Sequence, residues 1–145
     1  MRAPVRPVKS GGRLWGDEAM GVVGIGGLFF RAGDPDALAL WYRIHLHIGA
    51  GCNADAAGPV DEWSWMTHGG PTVFAPFKAD SDYFPADKAF MLNLRVEGLE
   101  ALLASLAEAG IAAETRAEWD SPEVGRFARI HDPEGNPIEL WEPPA

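Results

Sequence analysis

The chain has 145 residues, 47% hydrophobic and 23% charged, enough apolar material for one domain with its own core. Twelve basic residues against 21 acidic ones give a net charge of -9, which argues against a nucleic-acid backbone as partner. The single cysteine, Cys52, excludes a disulfide framework, and no run of about 18 apolar residues offers a membrane span. A soluble, acidic, cytoplasmic domain is the class that remains.

Residues 1–20 carry Arg2, Arg6, Lys9 and Arg13 against Asp17 and Glu18, a net of +2, so the remainder holds -11. The stretch lacks both hydrophobic periodicity and the apolar centre of a targeting peptide. It reads as a disordered extension, with Met20 as a candidate start, and the folded domain spans residues 21–145.

Residues 21–31, GVVGIGGLFFR, are apolar and rich in β-branched and aromatic types, a strand signal. Asp34 before Pro35 then opens a helix, an N-cap acid followed by proline at the first helical position. Leu38, Trp41, Tyr42, His45 and Leu46 give that helix an apolar stripe, and Gly49 and Gly51 stop it. Residues 50–60 are rich in glycine and alanine and stay unassigned. Segments 62–67 and 72–77 flank His68-Gly69-Gly70-Pro71 and predict a hairpin.

The order then repeats. FMLNLRV from Phe90 is a strand, Gly98 opens an amphipathic helix through Leu99, Leu102, Leu103 and Leu106, and Gly110 ends it. Residues 111–116 add a strand. Segments 125–131 and 138–142 form a second hairpin around Asp132-Pro133-Glu134-Gly135-Asn136-Pro137. Two halves of about 60–65 residues, each exposing one sheet face, join to leave a cleft between them, the default small-molecule site.

With LFFRAGDPDALALWYRIHL near its start and GRFARIHDPEGNPIELWEP at its end, the chain resembles the vicinal oxygen chelate superfamily. That superfamily holds glyoxalase I, bleomycin-resistance proteins and extradiol dioxygenases. The resemblance covers roughly residues 21–143 and is sharpest in the closing hairpin. It implies an α+β fold of paired βαβββ modules, here about 21–78 and 88–143, and a homodimer.

In metal-using members, up to four His, Glu or Gln side chains hold one divalent ion such as Mg, Mn, Ni, Fe or Zn. The metal polarises a carbonyl or binds two neighbouring substrate oxygens. Carried onto this chain, the ligand positions are Gly27, Phe74, Met91 and Glu139. Only Glu139 can ligate a hard cation, and the neighbours Ile25, Gly26, Leu28, Val73, Ala75 and Leu92 supply no ligand either. The expectation is therefore no cofactor and no metal site, with Glu139 the sole contributor if a divalent ion does bind.

Of the histidines, His45 and His47 sit near a helix end, and His68 and His131 at turns, which are ordinary structural places. Cys52 has no evident base beside it. Glu139 has two readings of equal standing. It is a pocket carboxylate acting as base or ligand acceptor, or a structural acid at a sheet edge paired with Arg129, Arg126 or Arg95. Phe29, Trp65, Phe74, Met91, Asn93 and Trp141 are the candidate lining of an apolar cleft, though aromatics and methionine suit a dimer interface equally.

The functional expectation is binding of a small apolar or aromatic organic molecule without a metal. The alternative is an enzyme of the same superfamily, a lyase, isomerase or dioxygenase, using Glu139 as base or as part of a divalent site.

Overall fold

Asp34 caps the first helix as its place before Pro35 demands, its carboxylate accepting from the Ala37 N–H at 3.1 Å. In the computed structural model, which describes residues 22, 24–48 and 64–145, this helix α1 runs Pro35–Leu46. It stops earlier than the glycines at 49 and 51 suggest. His47 takes the left-handed conformation at φ 57° and turns its N–H back to the Tyr42 carbonyl, so a non-glycine residue closes the helix.

Two compact units divide the chain between Phe30 and Arg31. The described residues of the first unit form no regular element, and Phe29 is 86% exposed there. The strand expected over 21–31 is not seen among the described residues. Nor is the hairpin strand at 72–77, or the described part of the one at 62–67. A stretch of extended chain becomes a strand only beside a hydrogen-bonding neighbour. No strand ladder or bridge joins these segments to another among the described residues. The 1–20 extension, residues 50–60 with Cys52, and the start of the 62–67 segment lie outside the described residues.

The second βαβββ module is visible almost whole. Strand β1 is Leu92–Arg95, helix α2 is Leu99–Glu108, and the closing hairpin comprises β2, Arg126–His131, and β3, Pro137–Glu142. The sheet order is β1-β3-β2, with β3 parallel to β1 and antiparallel to β2. Residues 111–116 contribute a single antiparallel bridge, Glu114 to Arg129, rather than a full strand. Mixed helices and a small open sheet make this an α+β fold.

One face of the sheet is the core. Ile130, Ile138, Leu140 and Ala128 are fully buried, and Leu94 joins them. Leu99 and Leu106 come from α2, and Leu38 and Tyr42 from α1. Each buried leucine or isoleucine among them contributes about 1.5–3 kcal/mol. On the same face Glu142 reaches α2 and accepts from the Gly98 and Leu99 N–H groups at 2.8 and 3.1 Å. It serves as the cap that glycine at 98 cannot supply.

The turn between β2 and β3 is held by Asp132, 4% exposed, which accepts from the Glu134 and Asn136 N–H groups at 2.9 and 3.0 Å. Its other oxygen accepts from the Asn136 amide and the Tyr42 hydroxyl, both at 2.8 Å. Glu134 in turn accepts from the Gly33 and Asp34 N–H groups. The hairpin and the start of α1 are thereby tied together. Burial, reinforced by Asp132, pushes the Tyr42 phenol well above its ordinary value.

Candidate functional site

Among the described residues the other face of the sheet carries no α-helix, and its polar residues stand in register. Glu139 lies opposite Asn93 on β1 and opposite Arg129 on β2, and Arg129 is bridged to Glu114. Side chains alternate along a strand, so these four form one row across the same face. Arg95, Trp141 and Phe127 form the adjacent row. Met91, half-buried, continues the alternation of Asn93 and Arg95 just before β1.

Glu139 is 8% exposed, and each oxygen of its carboxylate accepts a hydrogen bond. Oε1 accepts from the Asn93 amide at 2.8 Å, Oε2 accepts from the Tyr83 hydroxyl, and Arg129 Nη2 stands 4.0 Å from Oε2. It sits on the central strand, not at an edge. Of the three arginines weighed from sequence, the pairing falls to Arg129. Arg126 binds Glu100 at 2.7 Å, and Arg95 donates to the backbone carbonyls of His68 and Pro71.

Arg129, 9% exposed, is fixed by its surroundings more than by its carboxylate. Nη1 donates to the Tyr83 carbonyl at 3.0 Å, and the guanidinium lies 4.9 Å from the Tyr83 ring centre and 5.7 Å from that of Trp119. Trp119 is delivered by a short 3-10 turn, Ala117–Trp119. Tyr83 packs in turn on Phe77, at 5.4 Å between ring centres. Burial raises the Tyr83 phenol above its ordinary value, Glu139 raises it further, and Arg129 works against both. The phenol stays protonated and donates.

The expected lining is only partly assembled. Asn93 touches Glu139, and Met91 and Trp141 share its face. Trp141 is itself anchored, its indole N–H donating to the Val124 carbonyl at 2.7 Å and its ring stacked on Phe127 at 6.2 Å. Trp65 and Phe74 lie in the exposed run 65–77, Phe74 at 87% exposure, and Phe29 belongs to the other unit. A separate shallow concavity of about 480 Å³ lies beside the end of α2, lined by Leu103, Ala107 and Ile111 among others, with no ionisable group.

A family model described as a glyoxalase-like domain matches residues 27–141. The chain belongs to the glyoxalase-like domain family. Among solved structures it is similar to an antibiotic-binding protein, TnmS3, from Streptomyces sp. CB03234. The two are 38% identical over 36% of this chain and 40% of that one, with a TM-score of 0.29. It is also similar to a glyoxalase family protein from Enterococcus faecalis, at 34% identity over 46% of this chain and 52% of that one, TM-score 0.34. The matched region thus spans about half or less of either structure's own chain. None of the curated proteins compared matches the chain.

Of the four ligand positions that the resemblance implies for this glyoxalase-like chain, Glu139 alone carries a donor suited to a hard cation. Gly27 and Phe74 offer no donor, Met91 offers only a soft thioether, and each oxygen of Glu139 already accepts one hydrogen bond from a protein donor. Among the described residues, no group of three or more His, Cys, Asp or Glu is placed to hold an ion. His68 and His131 are exposed, and His45 packs on the Trp41 ring at 5.4 Å.

Sequence reasoning missed Tyr83 and Trp119 as members of the site, and considered Arg129 only as an ion-pair partner. Arg129 was within reach of counting, since the tight turn that sets His131 opposite Pro137 also sets Arg129 opposite Glu139. Tyr83 and Trp119 come from irregular segments whose course no periodicity reveals.

Proposed function

We infer that this glyoxalase-like domain binds a small apolar or aromatic organic molecule on the helix-free face of its sheet, without a metal centre. One observation carries the reading. Glu139, the only hard ligand among the four positions, is held by Tyr83 and Asn93 with the Arg129 guanidinium 4.0 Å away. A fixed protein cation thus stands beside the carboxylate that would otherwise meet a metal. Met91, Phe127 and Trp141 give this face apolar walls around a few polar groups, the usual make-up of a small-molecule site.

The extended runs support a second copy of the chain as partner. Phe74, Val73 and Met66 are 87%, 69% and 61% exposed, and Phe29 in the other unit is 86% exposed. Such surface favours a homodimer that covers it. A single cysteine suits the reducing cytoplasm, and no helix among the described residues is long and apolar enough to cross a membrane.

The test is native mass spectrometry of untagged protein with paired elemental analysis. A dimer without stoichiometric metal, carrying an organic adduct or taking one up, is the expected result. One tightly held divalent ion per site overturns it in favour of an enzyme that uses Glu139 as a ligand. A Glu139→Gln variant that binds ligand normally but abolishes a measured turnover would favour Glu139 as base.

A further inference from the structure

The polar row on the helix-free face is unevenly satisfied. Among the described residues Glu139 takes two hydrogen bonds from neutral donors, whereas the Arg129 guanidinium, with five N–H hydrogens to place, makes one, to the Tyr83 carbonyl. Nη2 stands 4.0 Å from Glu139, beyond hydrogen-bond reach. Nε is buried and has no partner among the described residues. The unfilled side of the guanidinium is its Nε–Nη2 edge, the edge that presents two parallel donors. A buried polar group left unmatched in a native fold calls for a reason.

The group occupying the space beside Glu139 is a phenol. Tyr83 belongs to a stretch with turns at 79–80 and 86–87 and no helix or strand, and is 36% exposed. Its hydroxyl rests on Glu139, and its ring faces the guanidinium. An incoming phenol reproduces both contacts, so it exchanges with Tyr83 without losing an interaction of either kind. An acceptor oxygen on that incoming molecule would add a partner on the Nε–Nη2 edge, where Nε now has none among the described residues. With Glu139 only 4.0 Å from Nη2, a negatively charged acceptor would be repelled, which favours a neutral carbonyl.

We propose that the site recognises a hydroxyl-bearing aromatic molecule with a neutral carbonyl group, Tyr83 holding the place of its phenol when the site is empty. The hydroxyl donates to Glu139 Oε2, and the carbonyl oxygen accepts from Arg129. The proposal rests on the binding reading above and names its ligand class.

The experiment is calorimetric titration of the full chain with four probes. These are 3-hydroxyacetophenone, 3-ethylphenol (no acceptor), 3-methoxyacetophenone (no donor) and naphthalene (neither). The expected result is binding of 3-hydroxyacetophenone about tenfold tighter than either single-group analogue. Arg129→Lys should remove its advantage over 3-ethylphenol while leaving its advantage over 3-methoxyacetophenone. Tyr83→Phe, which weakens the internal competitor, should tighten 3-hydroxyacetophenone several-fold. Should Arg129→Lys fail to fold, the Nε–H nuclear magnetic resonance of Arg129 in the unmodified protein gives the same answer by moving on addition of the probe.

Equal binding of the four probes, with that resonance unmoved, overturns the proposal and leaves small-molecule binding standing. Weaker binding by Tyr83→Phe also overturns it, because Tyr83 would then be a wall of the site. Binding of none of the four defeats the proposal and the binding reading together.

Discussion

Tyr42 on α1 donates its phenolic hydrogen to Oδ2 of Asp132 at 2.8 Å, joining residues 90 positions apart in the chain. Asp132 meanwhile holds three donors of its own hairpin turn. The carboxylate is thus a shared anchor for a helix of the first half and a turn of the second. Tyr42→Phe removes one hydrogen bond and should cost about 1–2 kcal/mol by urea denaturation. Asp132→Ala removes the anchor for both elements and should cost more. Equal stability of Tyr42→Phe and the parent would show that the tie carries no weight.

The same pair sets an alkaline limit. The folded Tyr42 phenol titrates above its ordinary value of 10.0, so folding favours the protonated form. Its contribution is fully present below pH 10 and is lost as pH rises beyond it. Unfolding midpoints measured from pH 8 to 11.5 should fall above pH 10, and Tyr42→Phe should flatten part of that fall. Tyr83, shifted in the same direction, accounts for a further part.

Gly125 offers a sharper steric test. Its φ is 103°, and a Cβ there would stand 2.1 Å from the Glu142 carbonyl oxygen. The obstruction is backbone, so no side chain can swing aside. Gly125→Ala should destabilise by about 3 kcal/mol or prevent folding. A melting temperature within a degree or two of the parent would contradict this geometry.

Glu139 and Arg129 should be strongly non-additive. Glu139→Leu leaves a buried guanidinium without its counter-charge, and Arg129→Met leaves a buried carboxylate; each should cost about 3 kcal/mol. The double variant should recover much of that loss, since two apolar side chains need no partner. A double-mutant cycle by chemical denaturation measures the coupling, and strict additivity would mean the two charges do not interact.

Packing gives the last contrast. Leu106 is 1% exposed within the core, whereas Leu40 on α1 is 48% exposed. Leu106→Ala should cost about 2–5 kcal/mol and Leu40→Ala about a tenth of that. Similar losses at both positions would mean that Leu40 is covered in solution, as a second copy of the chain would do.

Much of this was legible in the residues themselves. Asp34-Pro35, the leucine spacing from Leu99 to Leu106, and the DPEGNP turn are local signals, and each appears where local chemistry put it. The row Asn93–Glu139–Arg129 follows from hairpin arithmetic plus one parallel pairing. The segments at 21–31 and 72–77 have strand-like composition, but composition supplies propensity and not a neighbour. Tyr83 and Trp119 were beyond reach for a related reason. Their positions depend on how irregular chain crosses the sheet, which is settled by rings meeting a buried guanidinium and not by any repeating pattern.

The sheet's middle strand is also the last to be made. β1 and β2 are not paired with each other; each pairs with β3. On the ribosome, both flanking strands and both helices emerge before residues 137–142 exist to join them. Leu99 and Leu106 then have no closed core to enter. The module must therefore wait, largely open, for its final strand, and condense in one late event.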